Sequence, residues 1–290
     1  MAIYEKFIGR TRESFVSLTD CQENFKISYE NTFNYAYDVI DVLGTEKPDK
    51  EALLYISASG EEKRFTFGDM KRLSDKAANY FVSQGVKKGD PVLLVLKRSY
   101  LFWVITLALN KIGAIMVPAS NMLKAKDYVY RCNKAEIKYA LITGDDECTE
   151  YFDGGEGQYE TILKKFVTKH KKVEGWIDFE EGFDKADESW TRPTGDAATT
   201  VDDTMIINFS SGTTGYPKII AHDFKYPLGH IMTGVFWHHV VDGGVHFTVS
   251  DTGWAKSLWG KYYGQWMGES VIMVYDFDKF DGADILSKLE

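Results

Sequence analysis

Short β-branched segments alternate with helical patterns along most of this sequence. Residues 66–85 carry apolar side chains at helical spacing and end at a glycine, and the continuous apolar segment 91–96 follows. Residues 100–112 form a second apolar helical pattern, and 114–118 a short apolar segment. Strands joined through helices in this way pair in parallel, so the pattern predicts an α/β fold with a mostly parallel sheet flanked by helices.

The same alternation extends toward both ends of the chain, with one weaker region. Between residues 145 and 200 we expect two or three short elements joined by surface loops. The basic stretch 164–172 lies among acidic residues, which favours a solvated surface helix. The remaining predicted elements are helices containing 128–132 and at 228–238, 258–266 and 283–289, and strands at 138–143, 204–209, 218–222, 246–249 and 270–274.

Charge and cysteine content narrow the class of protein. The formal net charge is -9, which makes nucleic acid and anionic membrane surfaces poor partners. No apolar stretch approaches the ~18 residues of a membrane helix, and the acidic N-terminal segment is unlike a signal peptide. Cys21, Cys132 and Cys148 are widely spaced, so we expect a reducing cytoplasmic location and no zinc site.

A loop rich in small hydroxyl residues and glycine lies between two predicted strands. Backbone N–H groups, hydroxyl donors and one ammonium group together can hold a polyphosphate, and glycines allow close approach of the backbone. The lysine provides a point charge for a phosphate oxygen. The candidate phosphate-binding residues are Ser210, Ser211, Gly212, Thr213, Thr214, Gly215 and Lys218.

This loop differs from the Walker A motif. That motif has a glycine directly before its lysine and a helix after it, whereas here Pro217 precedes Lys218 and a predicted strand follows. The expected arrangement is therefore strand, phosphate loop, strand. A plain Ser/Thr/Gly surface loop is the alternative interpretation.

The loop and three other segments resemble one family. A sequence of the form [Ser/Thr]-[Ser/Gly]-Gly-Thr-Thr-Gly-x-Pro-Lys after a buried strand is similar to the phosphate loop of the adenylate-forming enzymes, which include acyl-CoA synthetases, luciferases and peptide-synthetase adenylation domains. The resemblance runs from about residue 31 to residue 290 and is strongest to medium-chain acyl-CoA synthetases. The other matching segments are 98–103 with 113–118, 250–257, and Lys279-Phe280-Asp281.

The resemblance implies an activity and its small-molecule partners. The family fold consists of stacked, mostly parallel sheets flanked by helices. Its medium-chain members join a carboxylic acid to ATP, with Mg²⁺, to form an acyl-adenylate, and then transfer the acyl group to CoA. Acetyl- or propionyl-CoA synthetase and aryl-acid ligase are the alternatives within the family, and a non-catalytic nucleotide-binding or structural piece is the alternative outside it.

The resemblance also implies how the chain is organised. Residues 1–290 correspond to an incomplete N-terminal adenylation domain, in which 66–225 form a first α/β subdomain and 31–65 with 226–290 form part of a second. The family's catalytic lysine and mobile C-terminal domain would follow Glu290, so we expect a truncated chain that is inactive alone.

The segment 250–257 supplies a second candidate site. By resemblance, Trp254, Lys256 and Ser257 lie near the acyl pocket, whereas the alternative is that Trp254 is a core residue. His238, His239 and His246 lack the i, i+4 spacing of a helical metal pair, so we expect no protein metal site. His222 is expected to be structural, and no Gly-x-Ser-x-Gly motif supports an acyl-serine hydrolase.

Overall fold

Two sheets and the helices around them make up the fold. The computed structural model describes residues 1–210, 215–277 and 279–289. The helices are α1 (Glu5–Ile8), α2 (Leu18–Asn24), α3 (Val42–Glu46), α4 (Phe67–Ser83), α5 (Leu101–Ile112), α6 (Ala125–Lys134), α7 (Cys148–Asp153), α8 (Phe179–Asp184), α9 (Tyr226–Ile231), α10 (Ala255–Gly260), α11 (Tyr263–Met267) and α12 (Gly282–Ser287). The strands are β1 (Glu51–Ser57), β2 (Glu62–Thr66), β3 (Pro91–Val95), β4 (Ile115–Pro118), β5 (Tyr139–Ile142), β6 (Lys164–Val167), β7 (Ile177–Asp178), β8 (Thr204–Ser210), β9 (Lys218–Asp223), β10 (Val245–Phe247) and β11 (Val271–Asp276).

Within the described residues, the larger sheet has seven strands in the order β7-β6-β5-β3-β4-β8-β9. All neighbouring pairs are parallel except β8 and β9, which are antiparallel. The central strands β3 and β5 are buried along their whole length, because helices cover both faces of a parallel sheet. The carboxyl ends of β5, β3, β4 and β8 consequently lie at one edge.

The smaller sheet joins the two ends of the chain. Its order is β10-β11-β1-β2, and β1 pairs in parallel with β11, with Leu53 opposite Ile272. The β1–β2 pair is antiparallel. The sequence pattern predicts β11 but does not indicate β1 and β2.

Helices α4 and α5 are formed as the sequence predicts. Thr66 and Asp69 form a capping box at the start of α4, in which each side chain binds the other residue's backbone N–H. Helix α5 is buried along all 12 of its residues, as expected for a helix that is apolar on every side, and ends at Gly113 with φ +81°. The mostly parallel, helix-flanked α/β fold is thus confirmed.

Several element predictions need correction. The basic stretch expected to be a surface helix begins with strand β6, because Phe166 and Val167 pack into the core and pair with β5. The helix expected at 258–266 is divided into α10 and α11 at Lys261 and Tyr262, where the backbone leaves the helical region. The helix expected at 228–238 is α9 followed by a π-helical segment, Met232–Trp237.

Candidate functional site

The candidate phosphate loop connects the two antiparallel strands of the larger sheet. Ser210, the last residue of β8, lies opposite Lys218, the first residue of β9. Strand β8 runs parallel to β4, with Met116 opposite Ile206. The connection therefore leaves the sheet at the carboxyl edge, which is where open α/β sheets bind ligands. The expected order of strand, loop, strand is confirmed for its two strands.

The described loop residues differ in exposure. Ser210 is half-buried, whereas Lys218 is exposed. Gly215 has φ +93°, a left-handed conformation that favours glycine, and a Cβ there would meet nothing within 4 Å. The glycine therefore serves the backbone conformation rather than close packing. Ser211, Gly212, Thr213 and Thr214 lie outside the described residues.

Helix α6 contacts the second half of the connection. The Tyr130 hydroxyl donates a hydrogen bond of 2.9 Å to the Pro217 carbonyl. The Tyr130 ring stacks on the Tyr216 ring, with centroids 4.8 Å apart and planes at 28°. A cleft of about 540 Å³ opens beside these rings, and Lys126, Asp127 and Gln158 are among its lining residues.

The turn at residues 251–254 is held at the same edge of the larger sheet. The Thr252 hydroxyl donates to the main-chain carbonyl of Lys97, two residues beyond β3. A Cβ on Gly253 would lie 2.4 Å from backbone atoms of Ala119, which directly follows β4. The first contact joins the turn to the chain just beyond β3, and the second joins it to the chain just beyond β4. In the sheet order β4 lies next to β8, and β3 lies next to β4, so the turn and the phosphate loop lie at the same edge.

The three candidate acyl-pocket residues occupy different environments. Trp254, the N-cap of α10, is 56% exposed, so the alternative that it is a core residue is wrong. Lys256 is also exposed. Ser257 is buried, and its hydroxyl donates to the Thr252 carbonyl at 3.3 Å, so it supports the turn from inside.

Two basic side chains interact electrostatically with the carboxylate that opens the turn. The Asp251 carboxylate accepts a hydrogen bond from Gly253 N at 2.9 Å and lies 4.0 Å from the Arg98 guanidinium, which stacks on the Phe277 ring. Burial lowers the pKa of Lys261 to about 7, with the Asp251 charge acting in the opposite direction. The sequence pattern did not identify Lys261, because it places this residue inside one helix over 258–266.

A protein-family model for AMP-binding enzymes matches residues 42–289. The chain belongs to the AMP-binding enzyme family. It is 30% identical over 294 residues to acyl-coenzyme A synthetase ACSM3, mitochondrial, from Mus musculus. The alignment covers 99% of this chain and 50% of that protein. Over 264 residues it is 30% identical to acyl-coenzyme A synthetase ACSM5, mitochondrial, from the same organism, covering 89% of this chain and 44% of that protein.

Solved structures share the fold of this AMP-binding enzyme chain. The anthranilate CoA ligase AuaEII in complex with anthranoyl-AMP matches with a TM-score of 0.80 and 20% identity, over 90% of this chain and 48% of the other. A Brucella canis acyl-CoA synthetase matches with a TM-score of 0.75 and 19% identity, over 89% of this chain and 46% of the other. The family and fold implied by the sequence are thus confirmed, and the chain spans about half the length of the curated relatives it matches.

The histidines of this AMP-binding enzyme chain lie mostly among aromatic rings. His222 stacks on Tyr226, with centroids 4.1 Å apart. Burial lowers the pKa of His230 to about 4, so its imidazole is neutral at pH 7. His238 and His246 lie 5.4 Å apart, and the His246 Nε2 hydrogen-bonds the Gly260 carbonyl at 2.9 Å.

One histidine lies in a group of potential metal ligands that no sequence motif indicates. Potential ligand atoms of His170, Asp178 and Glu180 lie within 4.8 Å of one another. However, Lys172 Nζ lies 2.8 Å from the Asp178 carboxylate, and this ion pair competes with any cation. The group lies beside β7, the edge strand farthest in the sheet order from the phosphate loop.

None of the helices within 1–210, 215–277 and 279–289 is long and apolar enough to cross a bilayer.

Proposed function

We propose that this chain is part of an AMP-forming acyl-CoA synthetase. The reaction joins a carboxylic acid to ATP, giving an acyl-adenylate and pyrophosphate, and CoA then takes the acyl group with release of AMP. The observation that carries the proposal is the meeting of two segments at one sheet edge. The strand–loop–strand connection at Ser210 and Lys218 shares that edge with the turn held by Thr252 on Lys97. Membership of the AMP-binding enzyme family supports the nucleotide.

The phosphate loop would hold the β- and γ-phosphates of ATP. Carboxylate attack on the α-phosphate leaves negative charge on the departing pyrophosphate. Preorganised N–H and hydroxyl donors stabilise such charge, and an exposed ammonium at Lys218 adds a mobile cation. The proposed donors are Ser210, Ser211, Gly212, Thr213, Thr214 and Gly215, with Lys218.

Mg²⁺ would arrive with ATP rather than bind the loop by itself. The loop residues 210–218 include hydroxyl and amide groups but no carboxylate, and carboxylate and phosphate oxygens are the ligands that Mg²⁺ prefers. The loop therefore fits the phosphates and not a resident metal. When bound, Mg²⁺ would share the charge of the leaving pyrophosphate.

The acyl group is proposed to bind beside Trp254. The exposed indole lies next to a turn held on the edge that carries the phosphate loop, and Ser257 fixes that turn from inside. Lys256 is exposed on helix α10, which begins directly after Trp254. An indole supplies more apolar area than acetate needs, which favours a medium-chain or small aromatic acid. Acetyl- or propionyl-CoA synthetase remains the alternative for the substrate.

The domain division, the activity of the chain alone and its location are further parts of the proposal. Residues 66–225 would form one subdomain, and 31–65 with 226–290 part of another, which agrees with the strands of each sheet. Because the chain spans about half the length of its relatives, we expect no acyl-CoA formation from these 290 residues alone.

The three free cysteines support a reducing cytoplasm, whereas the relatives are described as mitochondrial. Cell fractionation distinguishes the two locations.

A pyrophosphate-release panel tests the reaction and its substrate. The longer protein containing this chain is assayed with ATP and acetate, butyrate, octanoate or benzoate. Each methylene buried in an apolar pocket contributes about 0.8 kcal/mol, so kcat/KM should rise a few-fold per carbon until the pocket is full. An acetate optimum would favour the short-chain alternative. ATP binding without pyrophosphate release from any acid would favour a non-catalytic nucleotide-binding role.

A further inference from the structure

Tyr130 contacts both flanks of the phosphate loop. On the far side, its hydroxyl donates 2.9 Å to the carbonyl of Pro217, the residue before Lys218, and its ring stacks on Tyr216. On the near side, its ring lies edge-on to Phe209, the residue before Ser210, with centroids 6.4 Å apart. One side chain thus touches the chain just before the loop begins and just before its lysine.

The helix that carries Tyr130 packs against both helix α7 and strand β8. Tyr128 and Cys132, two positions to either side, are fully buried, and the Tyr128 ring packs edge-on against Phe152 at 5.4 Å. The neighbouring Arg131 guanidinium lies 5.3 Å from the centre of the Phe209 ring. A site built on such an anchored helix holds its geometry better than one supported by loops alone.

From these contacts we infer that Tyr130 is a positioning residue for the phosphate loop. The inference rests on the proposed function in one respect, namely that the loop binds phosphate. The contacts of Tyr130 do not depend on that function. Within the described residues, Tyr130 contacts Phe209, Tyr216 and Pro217, which are not among the proposed ligand donors. Tyr130 holds the Pro217 carbonyl and the Tyr216 ring in place. These contacts fix the backbone just before Lys218, the first residue of β9. A binding segment whose flanking residues are held in place loses less conformational freedom when it binds a ligand, and this preorganisation strengthens binding.

The chain contains a matched control for this interaction. The Tyr159 hydroxyl also donates to a main-chain carbonyl, that of Phe152, at 2.5 Å, and its ring also stacks on an aromatic ring, at 4.6 Å. Those contacts lie between α7 and the segment after it rather than at the phosphate loop. Tyr159→Phe therefore removes the same kind of hydrogen bond without touching the loop.

The test compares Tyr130→Phe, Tyr130→Leu and Tyr159→Phe by amide hydrogen exchange and nucleotide binding. Tyr130→Phe keeps the ring but loses a hydrogen bond, so exchange in peptides covering 209–218 should quicken about two- to tenfold. Tyr130→Leu should exceed that change, and Tyr159→Phe should leave these peptides as in the wild type. In calorimetry with Mg·ATP, Tyr130→Phe should weaken binding by the same factor while AMP affinity stays constant, because AMP lacks the β- and γ-phosphates.

The outcomes separate the inference from the function on which it rests. Unchanged exchange at 209–218 in both Tyr130 variants would overturn the positioning role, whatever the nucleotide affinity. Equal weakening of ATP and AMP binding would also overturn it, since a general structural defect acts on both. If the longer wild-type protein that contains this chain binds neither nucleotide, the proposed function fails, and faster exchange in the Tyr130 variants still supports the clamping of the loop ends.

Discussion

The Thr252 hydroxyl donates a hydrogen bond to the main-chain carbonyl of Lys97, although the two residues are 155 positions apart in sequence. Both residues are buried, and Lys97 has φ +52°, an unusual conformation for a side chain larger than glycine. The hydrogen bond attaches the candidate acyl-binding segment to the chain two residues beyond β3.

Replacing Thr252 with valine should destabilise the protein by about 1–3 kcal/mol, because a buried carbonyl loses its donor. Valine has nearly the shape of threonine, so the loss reports on the hydroxyl and not on packing. Thr252→Ser keeps the hydroxyl and should recover most of that stability. Urea unfolding measures both, and wild-type stability in Thr252→Val would show that the bond contributes nothing.

Lys218→Met should weaken Mg·ATP binding about ten- to hundredfold, the range expected when a hydrogen bond to a charged group is lost. The residue is exposed, so the fold should keep its wild-type melting temperature. Lys185→Met is the matched control, because Lys185 is a surface lysine directly after α8 whose side chain is 74% exposed. Calorimetric titration distinguishes them, and equal affinities in the two variants would remove Lys218 from the phosphate site.

Two tryptophans should respond in opposite ways to alanine. Trp254 is 56% exposed and Trp266 is fully buried. Trp266→Ala should lower stability by about 3–5 kcal/mol through loss of core packing. Trp254→Ala should cost less than about 1 kcal/mol, yet shift the preferred acid length in the longer protein. A Trp254 variant that unfolds as readily as the Trp266 variant would contradict the exposed position.

The buried ammonium of Lys261 should make stability depend on pH. Burial lowers its pKa to about 7 in the folded chain, whereas the unfolded chain keeps the ordinary, higher value. Between pH 7 and 8.5 the unfolded state therefore binds more protons, so wild-type stability rises with pH, by at most about 1.4 kcal/mol per unit.

The comparison with Lys261→Met isolates this contribution. Methionine carries no charge, so the variant should be more stable than the wild type at pH 7, and the difference should shrink toward pH 8.5. Burial raises the pKa of Cys148 to about 11, so its thiol stays protonated across this range in the folded chain. Parallel stability curves for the two proteins would show that the Lys261 charge is unchanged on folding.

Local signals explain which parts of the fold the sequence predicts. Two features depend only on residues that are close in sequence, and both are observed: the capping box of Thr66 and Asp69 and the apolar strand β8. The pairing of β1 with β11 depends on residues at opposite ends of the chain, and no nearby pattern indicates it. Strand β6 was missed because two of its four residues are lysines, and their charge concealed the buried pair after them.

The candidate site divides in the same way. The loop from Ser210 to Lys218 is recognisable from its residue types, and so are its two strands. The attachment of Thr252 to Lys97 and the contact of Tyr130 with Pro217 need the folded sheet to bring distant segments together. For the same reason spacing identified neither the buried Lys261 nor the group formed by His170, Asp178 and Glu180.

The parallel pairing of β1 with β11 sets an order of events during synthesis. Tyr55 in β1 reaches the Asp276 carboxylate, 221 positions later, so the smaller sheet cannot close until nearly all of this chain has left the ribosome. The strands of the larger sheet, from Pro91 to Asp223, emerge earlier and can pair first. Meanwhile the hairpin of β1 and β2 offers an unpaired, apolar edge to its surroundings. A nascent chain stalled before residue 271 would therefore be the form most dependent on chaperones.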